Sequence, residues 1–151
     1  MSINEDGDLK YMESVHEHDS EGGRWLRWMD AICFPEYEPF EFECSNWYLL
    51  EYDGKYVGYA GWRNINNQVG ELCRAGVLPK WRGNEFQRHM IRFRERNMKD
   101  RGVLISVTTA HVNNHYSMNN LIACGYSVCG KDEWPTVETS EKAAVFFKKK
   151  L

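Results

Sequence analysis

No run of this chain is apolar over anything near the roughly 20 residues that a membrane-spanning helix needs, so no helical membrane anchor is expected. Proline is scarce, 4 in 151 residues, and no low-complexity tract or internal repeat divides the chain. An excess of charge is also missing. The formal net charge is −3, which argues against the broad basic field that nucleic-acid or anionic-membrane partners require. The five cysteines, Cys33, Cys44, Cys73, Cys124 and Cys129, are odd in number, lack C-x-x-C spacing and sit inside apolar patterns. They read as reduced, mostly buried thiols and not as a disulfide frame. The first eight residues, MSINEDGD, are acidic and polar, without the basic and apolar regions of a secretion signal. The expected location is the cytoplasm, with residues 1–8 flexible.

What the chain does have is 42% hydrophobic residues and six tryptophans, enough for the core of one domain spanning 1–151. Leu9 to Val15 reads as an edge-like strand. Asp19 or Ser20 can cap a helix whose apolar stripe is Trp25, Trp28, Met29, Ile32 and Cys33, ended by Pro35. Pro35 to Ser45 then reads as an irregular acidic loop. Trp47 to Tyr52 and Lys55 to Trp62 flank Asp53-Gly54, a strong hairpin signal, and a turn at Asn64 to Asn67 leads into a fourth strand, Val69 to Leu78. Phe86, Met90 and Phe93 mark a helix through about Asp100, with Gly102 placed as a C-cap. Val103 to Thr109 reads as a buried strand, Tyr116 to Ala123 as a short helix stopped by Gly125, and Tyr126 to Gly130 and Ala143 to Lys148 as two last strands. Lys148, Lys149 and Lys150 read as a solvated strand end. The fold class is α/β, an α+β mixed sheet with helices packed on it.

One segment carries more than fold. Val77 to Met90, VLPKWRGNEFQRHM, reads as a strand end, a turn bounded by Pro79, an Arg82-Gly83 loop and the start of a helix. Such a loop offers free backbone N–H groups and the positive end of a helix dipole, which suit phosphate. A tight turn that holds no ligand would read the same way. The segment resembles the pyrophosphate loop of the GCN5-related N-acetyltransferase (GNAT) superfamily, roughly V-x-P-x-x-(R/Q)-G-x-G-x-G, although the two later glycines here are Glu85 and Gln87. Asn114-His115-Tyr116-Ser117, opening a helix that closes on Gly125-Tyr126, resembles the family's N-x-x-(A/S) to G-F helix. Phe86-Gln87-Arg88, the run Ser117 to Tyr126 and Trp134-Pro135 are similar to a subgroup with G-L-Q-R in the loop, S-x-N-N-L-I-x-x-G-(F/Y) in the helix and a late W-P.

The resemblance implies acetyl-CoA as co-substrate, no metal, and acyl transfer to a primary amine in a ternary complex. It places the backbone of Ala75, Gly76 and Val77 along the pantetheine arm. Gly83, Asn84, Glu85, Phe86, Gln87 and Arg88 would surround the pyrophosphate, with Arg82 and Arg88 as cations and Glu85 as an unfavourable neighbour unless it turns outward or pairs with an Arg. Asn114 is assigned either to the pantetheine or to capping its own helix. Some family members use a Glu six residues before the conserved Val as general base, and Glu71 stands there before Val77. Strand alternation puts Glu71, Cys73, Ala75 and Val77 on one face. An exposed strand charge is the competing reading of Glu71. The family's alternative base position is Thr109, and its general-acid Tyr position is Leu121, with Tyr116 one turn away as a weak substitute.

Several residues read more plainly. His111 and His115 suit surface or capping roles, and His16-Glu17-His18 lacks a third ligand for a metal. The acceptor is a small-molecule or protein amine, with the acidic loop and Trp25, Trp28 and Trp62 as possible neighbours. The chain is expected to be a monomer or homodimer. A GNAT-like module that binds acyl-CoA or a protein without turnover is the alternative.

Overall fold

The computed structural model describes residues 9–14, 20–38, 46–133 and 144–151. The His16-Glu17-His18 motif, Cys44, most of the acidic loop and Trp134-Pro135 lie outside the described residues. Ser20 starts helix α1 (Glu21–Cys33) by accepting the Gly23 N–H at 2.9 Å, which satisfies one donor that every helix start leaves open. Strand β1 (Leu9–Ser14) precedes it. Strands β2 (Asn46–Tyr52) and β3 (Lys55–Asn64) turn at Asp53 and Gly54, both with positive φ, as a tight hairpin on Asp-Gly requires. There follow β4 (Val69–Val77), a 3-10 turn (Pro79–Trp81), α2 (Phe86–Asp100), β5 (Ile105–His111), α3 (His115–Ala123), β6 (Ser127–Cys129) and β7 (Ala144–Lys150).

The seven strands form one sheet in the order β1-β2-β3-β4-β5-β7-β6. Neighbours are antiparallel except β4 and β5, which run parallel. Both faces are covered. Leu26 and Met29 of α1 pack with Trp47, Leu49 and Tyr59 on one side, and Ile91, Phe93 and Met98 of α2 pack with Tyr48, Trp62 and Leu72 on the other. Leu121 of α3 joins that second cluster. Burial on both faces explains why the central strands are near-continuous apolar runs and not polar-apolar alternations.

Three expectations shift. The fifth strand starts at Ile105, not Val103, because the Leu104 and Ile105 N–H groups share the Gln68 carbonyl and the ladder begins only there. The sixth is confined to Ser127–Cys129, since Tyr126 turns inward, its hydroxyl 2.6 Å from the Ser106 hydroxyl. The lysine run is the end of β7, with Lys148 and Lys150 at the surface as expected of a solvated strand end, but Lys149 departs from that reading. Lys148 pairs with exposed Glu133 at 2.9 Å, while Lys149 reaches inward to Glu95 and the Cys124 carbonyl.

Packing is tightest where glycines let aromatic rings lie on the strands. A Cβ on Gly61 would fall 2.6 Å from the Trp47 indole, well inside contact distance. Gly61→Ala is therefore expected to destabilise the fold by about 1–3 kcal/mol, an overpacking cost, read as a lower urea midpoint at unchanged m-value.

Candidate active site

The pairing of β3 with β4 runs through Arg63↔Glu71 and Trp62↔Leu72 and resumes at Ala60↔Ala75, so an extra residue is accommodated on β4. This is a β-bulge at Cys73 and Arg74, and it overturns the simple alternation expected of the strand. An inserted residue reverses which face the following side chains occupy. Glu71 stands opposite Arg63 on the α1 face, and Cys73 packs with the α1 cluster. Ala75 and Val77 instead pack with Phe86 and Met90 on the α2 face.

The bulge is held from below by a buried charge. Arg94 of α2 is 2% exposed and donates from Nη1 to the Gly61 carbonyl (3.0 Å) and the Cys73 carbonyl (3.2 Å), and from Nε to its own Met90 carbonyl (3.1 Å). Burial pulls its pKa below the ordinary value, yet an Arg starts high enough to stay charged. Beside the bulge the sheet opens. The parallel pairing of β4 and β5 covers only Val69↔Ile105, Gly70↔Ser106 and Glu71↔Val107. At the next position the Thr108 hydroxyl donates to the Leu72 carbonyl at 3.1 Å. Beyond it β4 pairs with β3 alone, through Ala75 and Gly76 to Val77, and leaves a wedge between two parallel strands.

Glu71 sits at the narrow end of that wedge. Its side chain is 15% exposed and pairs with the Arg63 guanidinium across the β3–β4 ladder. Burial raises the Glu71 pKa, and the Arg63 charge offsets only part of the rise. A second pair lies farther along the same face. Arg74 donates to both oxygens of Asp30, at 3.1 and 3.2 Å, and to the Glu38 carbonyl, while its guanidinium lies over the Phe34 and Tyr37 rings. The buried Tyr59 hydroxyl donates to Asp30 at 2.6 Å. Burial, and then the Asp30 charge, raise the Tyr59 pKa, so it remains a neutral donor.

The wedge leads to the start of α2. Gly83 has φ +89°, and a Cβ there would meet nothing within 4 Å. The Asn84 amide donates to the Trp81 carbonyl at 2.9 Å and closes the turn. Glu85, the N-cap, is left-handed at φ 61°, and its side chain makes no cap hydrogen bond. That carboxylate points outward, 71% exposed, with Arg88 3.6 Å away. Outward turning and pairing with an Arg are the two ways a carboxylate can be accommodated here, and both occur. Phe86 is buried against Tyr52, while Gln87 and Arg88 are partly exposed in the first turn. Arg82 folds back, its Nε donating to the Val77 carbonyl at 3.0 Å. Cys33 reaches the same carbonyl at 3.5 Å, and burial pushes its thiol up more than Arg82 pulls it down, so it is no ready nucleophile.

At the other helix, Asn114 Oδ1 accepts the Ser117 N–H at 3.0 Å and caps α3. His111 Nδ1 likewise accepts the Asn113 N–H within a turn. Leu121 is buried in the core, and Tyr116 is exposed on the first turn of α3. Trp62, expected near an acceptor, is fully buried under α2 and donates to Asn97 at 2.9 Å, because its strand position faces the core. Arg63, Asp30, Arg74, Arg94 and Thr108 are functional neighbours that the sequence pattern does not single out. Two of them leave a signal there all the same: Arg94 falls four residues after Met90, and Asp30 four after Leu26, so each is a charge on an apolar helical stripe.

The site is thus a bulged fourth strand, a wedge opened against its parallel neighbour and an uncapped helix start at the wedge's mouth. Residues 12–126 match the family model described as Acetyltransferase (GNAT) family. The chain belongs to the GNAT acetyltransferase family. The fold agrees. A GNAT family acetyltransferase from Elizabethkingia anophelis with acetyl-CoA bound is 10% identical, with TM-score 0.71 over 96% of this chain and 99% of that one. A Bacillus subtilis acetyltransferase in complex with CoA is 11% identical, with TM-score 0.73 over 95% and 99%. The ribosomal-protein-S18-alanine N-acetyltransferase of Escherichia coli is 12% identical, with TM-score 0.72 over 93% and 92%. No match is found among the curated proteins. No helix among the described residues is long and apolar enough to cross a membrane.

Proposed function

We propose that this GNAT acetyltransferase moves an acetyl group from acetyl-CoA to a primary amine by direct transfer, with Glu71 as general base. The observation that carries the reading is the short parallel ladder: β4 leaves β5 at Glu71 and runs on to Val77, from which the 3-10 turn and the Arg82 to Glu85 loop lead to the uncapped start of α2. An extended pantetheine can pair there with the backbone of Ala75, Gly76 and Val77. The N–H groups from Gly83 to Arg88 and the cations Arg82 and Arg88 would hold its pyrophosphate. When bound, acetyl-CoA supplies the activated acyl carbon and a thiolate leaving group.

The residues of the chain do the rest. Glu71, partly buried and with a raised pKa, takes the ammonium proton directly or through water, so that the amine attacks as a neutral nucleophile. The acceptor approaches on the α1 face, where Tyr37 is 54% exposed beside Phe34 and the Arg74–Asp30 pair. These rings suit the body of a small aromatic or cationic amine, and a protein lysine or N-terminus is the other acceptor class. Asn114 serves as helix cap first. The buried Leu121 leaves the thiolate without a protonating Tyr and favours a second reading, a CoA-binding module with slow or no turnover.

Calorimetric titration with acetyl-CoA tests the loop, and absence of binding at millimolar ligand overturns both readings. Thiol release from acetyl-CoA across a panel of small amines and lysine peptides then separates enzyme from binder. Glu85 adds a directional prediction. Its left-handed backbone costs about 1–2 kcal/mol that glycine avoids, and its charge opposes phosphate. Glu85→Gly is expected to tighten CoA binding several-fold, and unchanged affinity in calorimetry would refute the unfavourable role given to this carboxylate.

A further inference from the structure

We propose that Asn120 is a positioning residue for phosphate recognition, anchoring Arg88 at the start of α2 from its buried side, opposite Glu85, at a cost in stability. The proposal rests on the CoA reading above. Asn120 lies on α3 and is only 5% exposed. Its Oδ1 accepts Arg88 Nε at 2.9 Å, across the contact between α2 and α3. Because Nε can only donate, that bond fixes the amide with its oxygen toward Arg88. The amide nitrogen is thereby turned into the interior, where it is buried and meets no hydrogen-bond partner among the described residues.

Leu121, the other buried residue of this helix, and Cys124, its C-cap, belong to the apolar core, so an apolar side chain at 120 would avoid the unpaired amide. A polar group kept in such a place, at the price of stability, is the usual mark of a functional constraint. The constraint is visible in the arrangement of partners. Arg88 lies between Asn120 on its buried side and the exposed Glu85 carboxylate at 3.6 Å. A neutral amide holds the guanidinium through Nε without cancelling its charge, and leaves that charge for a phosphate. Held by Glu85 alone, the charge would be partly neutralised and drawn outward.

The test compares CoA affinity by calorimetry with thermal unfolding of the free protein, in Asn120→Leu, Asn120→Ala, Arg88→Gln and the corresponding double variants. Asn120→Leu is expected to weaken CoA binding about tenfold, as loss of one well-placed charged contact does, while raising Tm by a few degrees. Asn120→Ala, which cannot overpack, is expected to weaken binding similarly. In the Arg88→Gln background neither change at 120 should weaken binding further. Glu85→Gln should restore much of what Asn120→Leu loses. Unchanged affinity in both 120 variants, or losses that add to that of Arg88→Gln, overturn the proposal; a fall in Tm that accompanies additive losses assigns Asn120 a packing role. If the unmodified protein binds no CoA, it is the proposed function that fails, and the two failures are distinguishable.

Discussion

Glu71→Gln is expected to lower the rate of CoA thiol release with a saturating amine by about 10²–10⁴-fold, the usual worth of a general base, with acetyl-CoA affinity nearly unchanged. The amide keeps the shape and can still accept the Arg63 guanidinium, so loss of rate without loss of binding isolates the proton-accepting role. The pH dependence has a fixed sign. Burial raises the Glu71 pKa, so activity of the unmodified protein should rise with pH as the carboxyl ionises, with its midpoint above the ordinary Glu value. That limb should vanish in Glu71→Gln, leaving only ionisation of the amine. A profile identical in both proteins would remove Glu71 from the mechanism. Stability carries the opposite slope. A native pKa raised above the unfolded one gives a contribution that is complete below the ordinary Glu value and is lost as pH rises through the raised native value. Glu71→Gln should flatten that slope in urea titrations. Arg63 modulates the same group: Arg63→Gln removes the cation that lowers the Glu71 pKa, and should move the activity limb to still higher pH.

Much of this arrangement is legible in the sequence because its signals are local. Asp53-Gly54 marks a hairpin through backbone dihedrals, Pro79 and Arg82-Gly83 mark the turn out of β4, and the apolar stripe at Phe86, Met90 and Phe93 sets the face of α2. Glu85 is recognisable as a residue in a glycine's position, and it does occupy the left-handed region. What cannot be read is long-range. The bulge at Cys73 and Arg74 has no composition of its own, since it arises from how β4 registers on β3. An unseen bulge changes the face assigned to the following side chains, which is why simple alternation groups Glu71 with Ala75 and Val77. The Lys run misleads in another form, because charge pattern alone says nothing of Glu95 waiting beneath Lys149. Asn120 follows another polar residue, Asn119, at the edge of an apolar stretch, and only its burial against Arg88 gives it meaning.

Arg94→Met should be the most destabilising substitution in the site, lowering stability by about 2–5 kcal/mol in urea unfolding. Two effects oppose one another. Removing a buried cation returns a desolvation cost of several kcal/mol, which is why buried charges can often be replaced without loss by apolar groups of like volume. Here the acceptors are backbone carbonyls that cannot be replaced along with it. Gly61 and Cys73 would each keep a carbonyl directed at Arg94 with that partner gone, and each such group costs about 1–3 kcal/mol. Arg94→Lys tests the same account from the other side. An ammonium retains the charge but lacks the guanidinium's fixed set of donors to bridge Met90, Gly61 and Cys73, so it should recover little. The functional consequence follows from position. The Cys73 carbonyl belongs to the bulge that separates the Glu71 face from the Ala75 and Val77 wedge, so a bulge that relaxes toward regular pairing would carry Glu71 and the wedge out of register. Both Arg94 variants, assayed below their unfolding temperature, should therefore lose turnover beyond their unfolded fraction. Full specific activity in the folded fraction of Arg94→Met would show that the bulge holds its register without this charge.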